Sequence, residues 1–356
     1  MPTPPLTDET LRETRIALKQ CGGSIRATAK HLGIGRNALK NRLRHAEARG
    51  IEGPYAEFST PPLPSGEMPI EELLEMRERE SARIAEREKA LELVPVQIKT
   101  PGPIGIALFG DPHIDDPGCD FARLREHTEL VRNTEGLFAA CVGDLQNGWI
   151  GRLTYKYADQ QATARQAWQL VEWWVEQLAP WMLWIVEGNH DLWVHGINRL
   201  SPLNWIKNFT YGLVEPDALS LALHLPDVVE PYTFLCRHQF KGNSQWNETH
   251  GIAKAAQMGR AYDVLCAGHF HKSGYQMIKH PMSGRVSHCV QIASYKIHDP
   301  YARSLDFADK TMFECPVMVI DPSEPDERYR VTFHPNPVEG ARVLTWKRGE
   351  WAANRA

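Results

Sequence analysis

Five short segments of the chain each follow an apolar run and carry side chains that metals bind: Asp111-Pro112-His113, Gly143-Asp144, Gly188-Asn189-His190-Asp191, His238 and Gly268-His269-Phe270-His271. Carboxylates, imidazoles and one Asn carbonyl, with no thiolate among them, make the mixed oxygen and nitrogen donor set that suits Mn, Fe or Zn. Two divalent ions about 3.5–4 Å apart clamp a phosphate and turn a bound water into hydroxide near neutral pH. A carboxylate between such ions offsets their mutual repulsion, and neutral imidazoles complete the shells without cancelling Lewis acidity.

The runs Ile104–Phe109, Leu137–Val142, Met182–Val186, Thr233–Cys236 and Val264–Ala267 read as strands. Layered α/β proteins bind ligands just beyond the carboxyl ends of their strands, so residues far apart in sequence can meet there. Strands and helical stretches alternate from Ile104 to about Phe333, the pattern of a layered α/β domain.

The five segments, in this order, resemble the calcineurin-like metallophosphoesterases over roughly Ile104 to Pro322. The resemblance implies an α/β fold with a β-sandwich flanked by helices. It also implies two divalent ions, Mn favoured over Fe or Zn. Asp111, His113, Asp144 and His271 would hold the first ion. Asp144, Asn189, His238 and His269 would hold the second, with Asp144 bridging. His190 would stay off the ions and stabilise developing charge or protonate the leaving oxygen, with Asp191 orienting its ring. Many relatives carry Gly after the lone His; here Gln239 follows His238, and His250, which precedes Gly251, is the alternative. Leu145-Gln146-Asn147-Gly148 also lacks the acidic residue that many relatives place after Asp144. Asp115 and Asp116 read as solvated loop carboxylates rather than ligands, with tuning of the first ion as the alternative. His127, His224, His280 and His334 read as ordinary surface or core residues.

Two long segments interrupt the alternation. Eight of the eleven tryptophans fall between Trp149 and Trp205. Residues 147–180 hold an expected helix around Ala162–Leu178 with Trp168, Trp173 and Trp174; residues 192–231 hold Trp193, Trp205 and Tyr211. These aromatics form either a cap over the site or ordinary core.

The N-terminal fifty residues carry ten Lys/Arg against four Asp/Glu, whereas the whole chain has a net charge of −4. A basic head on an acidic body points to an anionic polymer as partner. Thr7 opens a helix to about Gln20, Ser24 caps a second to about Leu32, and Arg36 to Arg49 forms a third after Gly33-Ile34-Gly35. Ile25, Ala29, Leu32, Ile34, Leu39 and Leu43 are the expected core. Arg36, Asn37, Lys40, Asn41 and Arg44 remain on the open face, where they suit base edges and phosphates; a basic three-helix domain that touches only protein is the alternative. The segment resembles the helix-turn-helix of Fis-like and transposase-like DNA-binding proteins.

Residues 51–69 read as a Pro-rich linker, and Glu71 to Glu92 as a charged spacer helix. Its seam (Ile70, Leu74, Arg77, Ser81, Ile84, Glu88, Leu91) is half apolar, so a solvated spacer is expected, with a homodimer through it as the alternative. The expected domains are therefore 1–50, a linker and spacer over 51–100, the hydrolase domain over 101–335, and a tail over 336–356. Seven scattered cysteines argue against a disulfide framework. With neither a signal peptide nor a membrane span in view, the expected location is cytoplasmic and no membrane partner is expected.

Three functions fit: a phosphodiesterase or nuclease tethered to DNA, a phosphomonoesterase or protein phosphatase recruited to nucleoprotein, and a non-catalytic DNA-binding regulator. For the first, Arg152, Tyr155, Lys156 and Tyr157 offer the basic and aromatic mixture that a single strand uses, with an ordinary loop as the alternative. The combination of head and body also resembles proteins of phages and mobile elements.

Overall fold

In the computed structural model, described over residues 6–52, 67–198, 206–226, 228–298 and 311–355 (backbone alone for 195–198), the chain divides into two units, Met1–Glu78 and Arg79–Ala356. The first unit begins with helices α1 (Asp8–Gln20), α2 (Ile25–His31) and α3 (Arg36–Ala48). Thr7 and Ser24 cap the first two by accepting from the backbone N–H of Thr10 and Ala27. Gly33 turns the chain into α3 with a φ of +63°, a value that costs glycine little. Leu11, Ala29, Leu39 and Ala46 are buried, while Ile25, Leu32, Ile34 and Leu43 are half-buried. Ile51, expected in the linker, instead packs with Leu11 and Ala46 and donates its N–H to Ala46, so this small core extends past residue 50. The proline-dense stretch 53–66 and Trp205 lie outside the described residues. Helix α4 (Ile70–Leu91) has no buried residue within the chain.

The second unit is built on twelve strands among the described residues. They are β1 (Val94–Gln97), β2 (Ile104–Phe109), β3 (Leu137–Cys141), β4 (Met182–Glu187), β5 (Leu213–Pro216), β6 (Ala218–His224), β7 (Tyr232–Arg237), β8 (Val264–Ala267), β9 (Gly274–Lys279), β10 (Val286–Gln291), β11 (Val317–Ile320) and β12 (Val331–His334). They form two mixed six-stranded sheets, ordered β1-β6-β7-β8-β10-β9 and β12-β11-β2-β3-β4-β5. Alternation along β2 explains the layering. Ile104, Ile106 and Leu108 enter a core shared with Leu221, Phe234 and Val264 of the other sheet. Ala107 and Phe109 face the opposite way, into a cluster with Leu124 of α5 (Phe121–Asn133) and Trp174 of α6 (Ala164–Leu178). On the outer face of the first sheet, α8 (His250–Met258) packs Ile252 and Ala256 against Leu265 and Cys289. Between α6 and α8, α7 (Asn189–Asn198) starts directly after β4.

Two boundaries differ from expectation. β1 lies in the stretch expected to be linker and pairs with β6 in parallel. The expected tail is helix α9 (Pro337–Ala353), started by Asn336 with Pro337 in its first turn and burying Ala341 and Leu344 against the second sheet. Trp174 is core, and Trp168 and Trp173 pack on the same cluster, so the aromatic helix α6 is structural over most of its length. Cys141, Cys236 and Cys266 are free and buried in strands. No helix among the described residues is long and apolar enough to cross a membrane.

Candidate metal centre and nucleic-acid face

The segments after β2, β3, β4, β7 and β8 meet beyond the strand ends. Asp111 Oδ2 lies 3.5 Å from His271 Nε2, which is 3.2 Å from His113 Nε2. On the other side, Asn189 Oδ1 is 2.9 Å from His269 Nδ1 and 3.1 Å from His238 Nε2; the two imidazole nitrogens are 3.1 Å apart. Asp144 stands between, with Oδ2 3.2 Å from His238 Nε2 and 3.8 Å from His113 Nε2. Donor atoms bound to one ion at about 2.0–2.2 Å are separated by roughly 3 to 3.5 Å, so most of these spacings are those of shared coordination. His190 also comes close: its ring joins His113 and Asp144 in a third group of converging donors.

The electrostatics agree with cation binding. Asp111 and Asp144 are buried side by side, and Asp111 Oδ1 and His113 Nδ1 have no hydrogen-bond partner. Burial, then Asp144, push the Asp111 carboxyl well above its ordinary range, although His238 opposes this. Burial works against ionisation of Asp144 too, but His238 and then His190 and His113 hold it well below that range. Burial alone would lower His238, yet Asp144 and Asp111 raise it to about 10. Two buried carboxylates thus draw positive charge to this spot. His238 Nδ1 donates to the Val142 carbonyl at 2.8 Å, which turns Nε2 toward the other donors, the usual orientation of a ligating histidine. His250, the alternative, is exposed at the start of α8.

The backbone is bent to achieve this convergence. Five described non-glycine residues have left-handed φ, and four of them are His113, Asp144, His269 and His271. Each such conformation costs of order 1–3 kcal/mol and persists where the surroundings over-determine it. Backbone donors pin the carboxylates: His269 N–H to Asp111 at 2.6 Å, and His190 N–H to Asp144 at 2.9 Å. The glycines of the motifs make room. A Cβ on Gly268 would fall 2.1 Å from Asp111 Oδ1.

Two expectations need correction. Asp191 does not orient the His190 ring; its carboxylate accepts from Leu145 N–H at 3.0 Å and Gly188 N–H at 2.9 Å, tying two strand-end loops together. The His190 ring instead bonds through Nδ1 to the Asn147 carbonyl, and because a carbonyl only accepts, Nδ1 carries the hydrogen. Asp115 and Asp116 are not solvated. Asp115 is buried, accepting from Asn147 N–H and the Gln160 amide, while Asp116 accepts from Asn147 Nδ2 and pairs with Lys296 at 3.0 Å. Trp149, Gln160 and Lys296 therefore belong to the surroundings of the site and were missed; the paired Asp115-Asp116 so near His113 was the available signal. Trp149 and Trp193 flank the His190 ring at centroid distances of 5.2 and 4.2 Å. Of the four residues read as strand-binding, Tyr155 is exposed on a 3₁₀ helix (Gly151–Ala158), and Lys156 lies 4.8 Å from the Trp149 ring centre.

In the first unit Arg36, Asn37, Lys40, Asn41 and Arg44 are all exposed on α3, while Leu39 and Ala46 of the same helix are buried. The open face is the one that carries the cations and amides.

Residues 15–45, from within α1 to within α3, match the family described as bacterial regulatory protein, Fis family. None of the curated proteins compared with the chain matches it. Among solved structures, the NAD nucleotidase NadN of Haemophilus influenzae is similar at 10% identity and a TM-score of 0.34, over 65% of this chain and 49% of that one. GAP50, the anchor in the inner membrane complex of Plasmodium, is similar at 11% identity and a TM-score of 0.32, over 69% and 95%. The chain thus spans about half the length of the nucleotidase, and at these scores neither likeness bears on fold or activity.

Proposed function

We propose that the chain is a metal-dependent hydrolase of phosphoesters, a DNA-directed phosphodiesterase or nuclease held on DNA by its helix-turn-helix head. The observation that carries this is the convergence of Asp111, His113, Asp144, Asn189, His238, His269 and His271 at the spacing of shared ligands. Two groups form within the convergence. Asp111, His113, Asp144 and His271 would hold one divalent ion. Asp144, Asn189, His238 and His269 would hold another, with Asp144 common to both. Mn, Fe or Zn suits such donors, Mn foremost. When bound, the ions supply Lewis acidity toward a phosphoryl oxygen and toward water.

The chain's own groups do the rest. His190, fixed by Asn147 and flanked by two indoles, presents Nε2 as a proton acceptor, or as a donor once protonated, at the leaving oxygen. Asp191 is a positioning residue that holds the loops bearing Asp144 and Asn189. The metallophosphoesterase family suggested by the motif order fits two mixed sheets sharing one core. The Fis-family match supports DNA binding by α3, with Arg36, Asn37, Lys40, Asn41 and Arg44 as the contacting set. Tethering raises the local concentration of substrate without any new contact at the reacting centre.

A panel of single-stranded DNA, duplex DNA, bis(p-nitrophenyl) phosphate and p-nitrophenyl phosphate, each with Mn, Fe, Zn and chelator, tests the reading. Metal-dependent cleavage of the diester and of DNA is expected. Turnover of the monoester alone would favour a phosphatase, and absence of metal binding together with absence of turnover would overturn the enzyme.

A further inference from the structure

Trp149 forms a wall common to His190 and to a cavity of about 570 Å³ that none of the expected ligands lines. We propose that this cavity is a nucleobase subsite, which receives the base of a nucleotide whose phosphoester lies at the Asp/His cluster. The inference rests on the phosphoester reading above and narrows its substrate to nucleotides.

Three observations support it. The cavity is lined by Trp149, Tyr157 and Trp168, and bases of any sequence stack on aromatic rings. Gln146, Gln161 and Arg165 stand among these rings, and amides match base edges with both a donor and an acceptor. Gln146 is 2% exposed, and its Nε2 lacks any hydrogen-bond partner. A buried donor left unpaired is costly, and an acceptor on a base would satisfy it.

The wall is also preorganised. Gln160 Oε1 accepts from the Trp149 indole N–H at 2.9 Å while its amide donates to buried Asp115, so the indole cannot swing into the cavity. Gly148, at φ +48°, brings the wall against α7; a Cβ there would lie 2.6 Å from the His190 carbonyl. Gln146 follows Asp144 by two residues, which keeps base and phosphate sites within one nucleotide's reach. The volume lies within the range of sites that bury small ligands.

Ligand-observed saturation-transfer NMR with chelator present tests this without catalysis. The probes are deoxynucleoside 5′-monophosphates, a short single-stranded oligonucleotide, and ribose 5-phosphate. Transfer to base protons of the mononucleotides or of the oligonucleotide is expected, with none to ribose 5-phosphate. A response from mononucleotides identifies a free nucleotide as ligand; a response from the oligonucleotide alone identifies a polymer. Tyr157→Ala and, at the exposed rim, Arg165→Ala should each weaken the response at least fivefold while the thermal melt of Arg165→Ala stays unchanged. Absence of transfer to any base, or transfer in both variants as strong as in the unaltered chain, overturns the subsite. Base binding without hydrolysis of any ester would sink the enzyme and spare the subsite; cleavage of bis(p-nitrophenyl) phosphate without base binding would do the reverse.

Discussion

A Cβ placed on Gly188 would lie 2.1 Å from Oδ1 of Asp144, far inside contact distance, although Gly188 has no left-handed φ. The glycine is required for space beneath a carboxylate rather than for backbone freedom. Gly188→Ala should therefore displace Asp144, the residue assigned to both ions, and lower bound metal and turnover by at least a hundredfold, with loss of stability too. Gly349→Ala in α9, where a Cβ meets nothing within 4 Å, should instead leave activity intact and add up to about 1 kcal/mol of stability. Metal per chain, turnover and urea midpoints for the pair check this; normal metal content in Gly188→Ala would refute the spatial argument.

Asp144→Ala should abolish hydrolysis, because both proposed ions lose a ligand. His190→Ala separates the two roles open to His190, which stands within the converging donors yet is tied by Nδ1 to Asn147. As a proton-transfer group its loss should slow turnover about 10²- to 10⁴-fold and leave metal content nearly unchanged. Stoichiometry by elemental analysis decides: a variant that no longer holds metal makes His190 a ligand.

The convergence was legible because each donor sits one to four residues past a strand, and a strand end fixes where such a residue points. Role was less legible than place. Asp191 looked like a partner for the imidazole beside it, but its acceptors met backbone N–H groups of Leu145 and Gly188, which no side-chain pattern reveals. Asp115 read as solvated because Gln160, its partner, is 45 residues away. β1 was hidden by Pro95, which a sheet tolerates at an edge, the place β1 occupies. Helix α9 could have been found: Asn336-Pro337 is a cap followed by a first-turn proline.

Because Ile51 belongs to the small helical core, a clean removal of the head ends at residue 52. The shortened chain should cleave bis(p-nitrophenyl) phosphate normally, yet bind DNA more weakly and with a shallower dependence on salt. In the full chain, Arg36→Glu with Lys40→Glu, both exposed, should have the same effect without unfolding α3. Binding titrations from 50 to 200 mM salt test this, and unchanged affinity in the shortened chain rules out the tether.

His127 and His288 should make the second unit sensitive to acid independently of the candidate metal site. Each accepts or donates one bond at 2.8 Å, His127 with the Tyr295 hydroxyl and His288 with that of Tyr275. Burial lowers both to about 4 from 6.5, with Arg123 adding to the effect at His127. Folding therefore favours the neutral rings. The stability this contributes is whole above pH 6.5, drains as the pH falls from 6.5 to 4, and is gone below 4. Within that window each ring contributes a slope of about 1.4 kcal/mol per pH unit. Between pH 7.5 and 5.5 each should cost roughly 1 kcal/mol of unfolding free energy. His127→Gln and His288→Gln should each be less stable at pH 7.5 but lose about 1 kcal/mol less on acidification than the unaltered chain. Urea unfolding at the two pH values, with chelator present throughout, measures the difference; an identical loss in all three proteins would mean that neither ring titrates with folding.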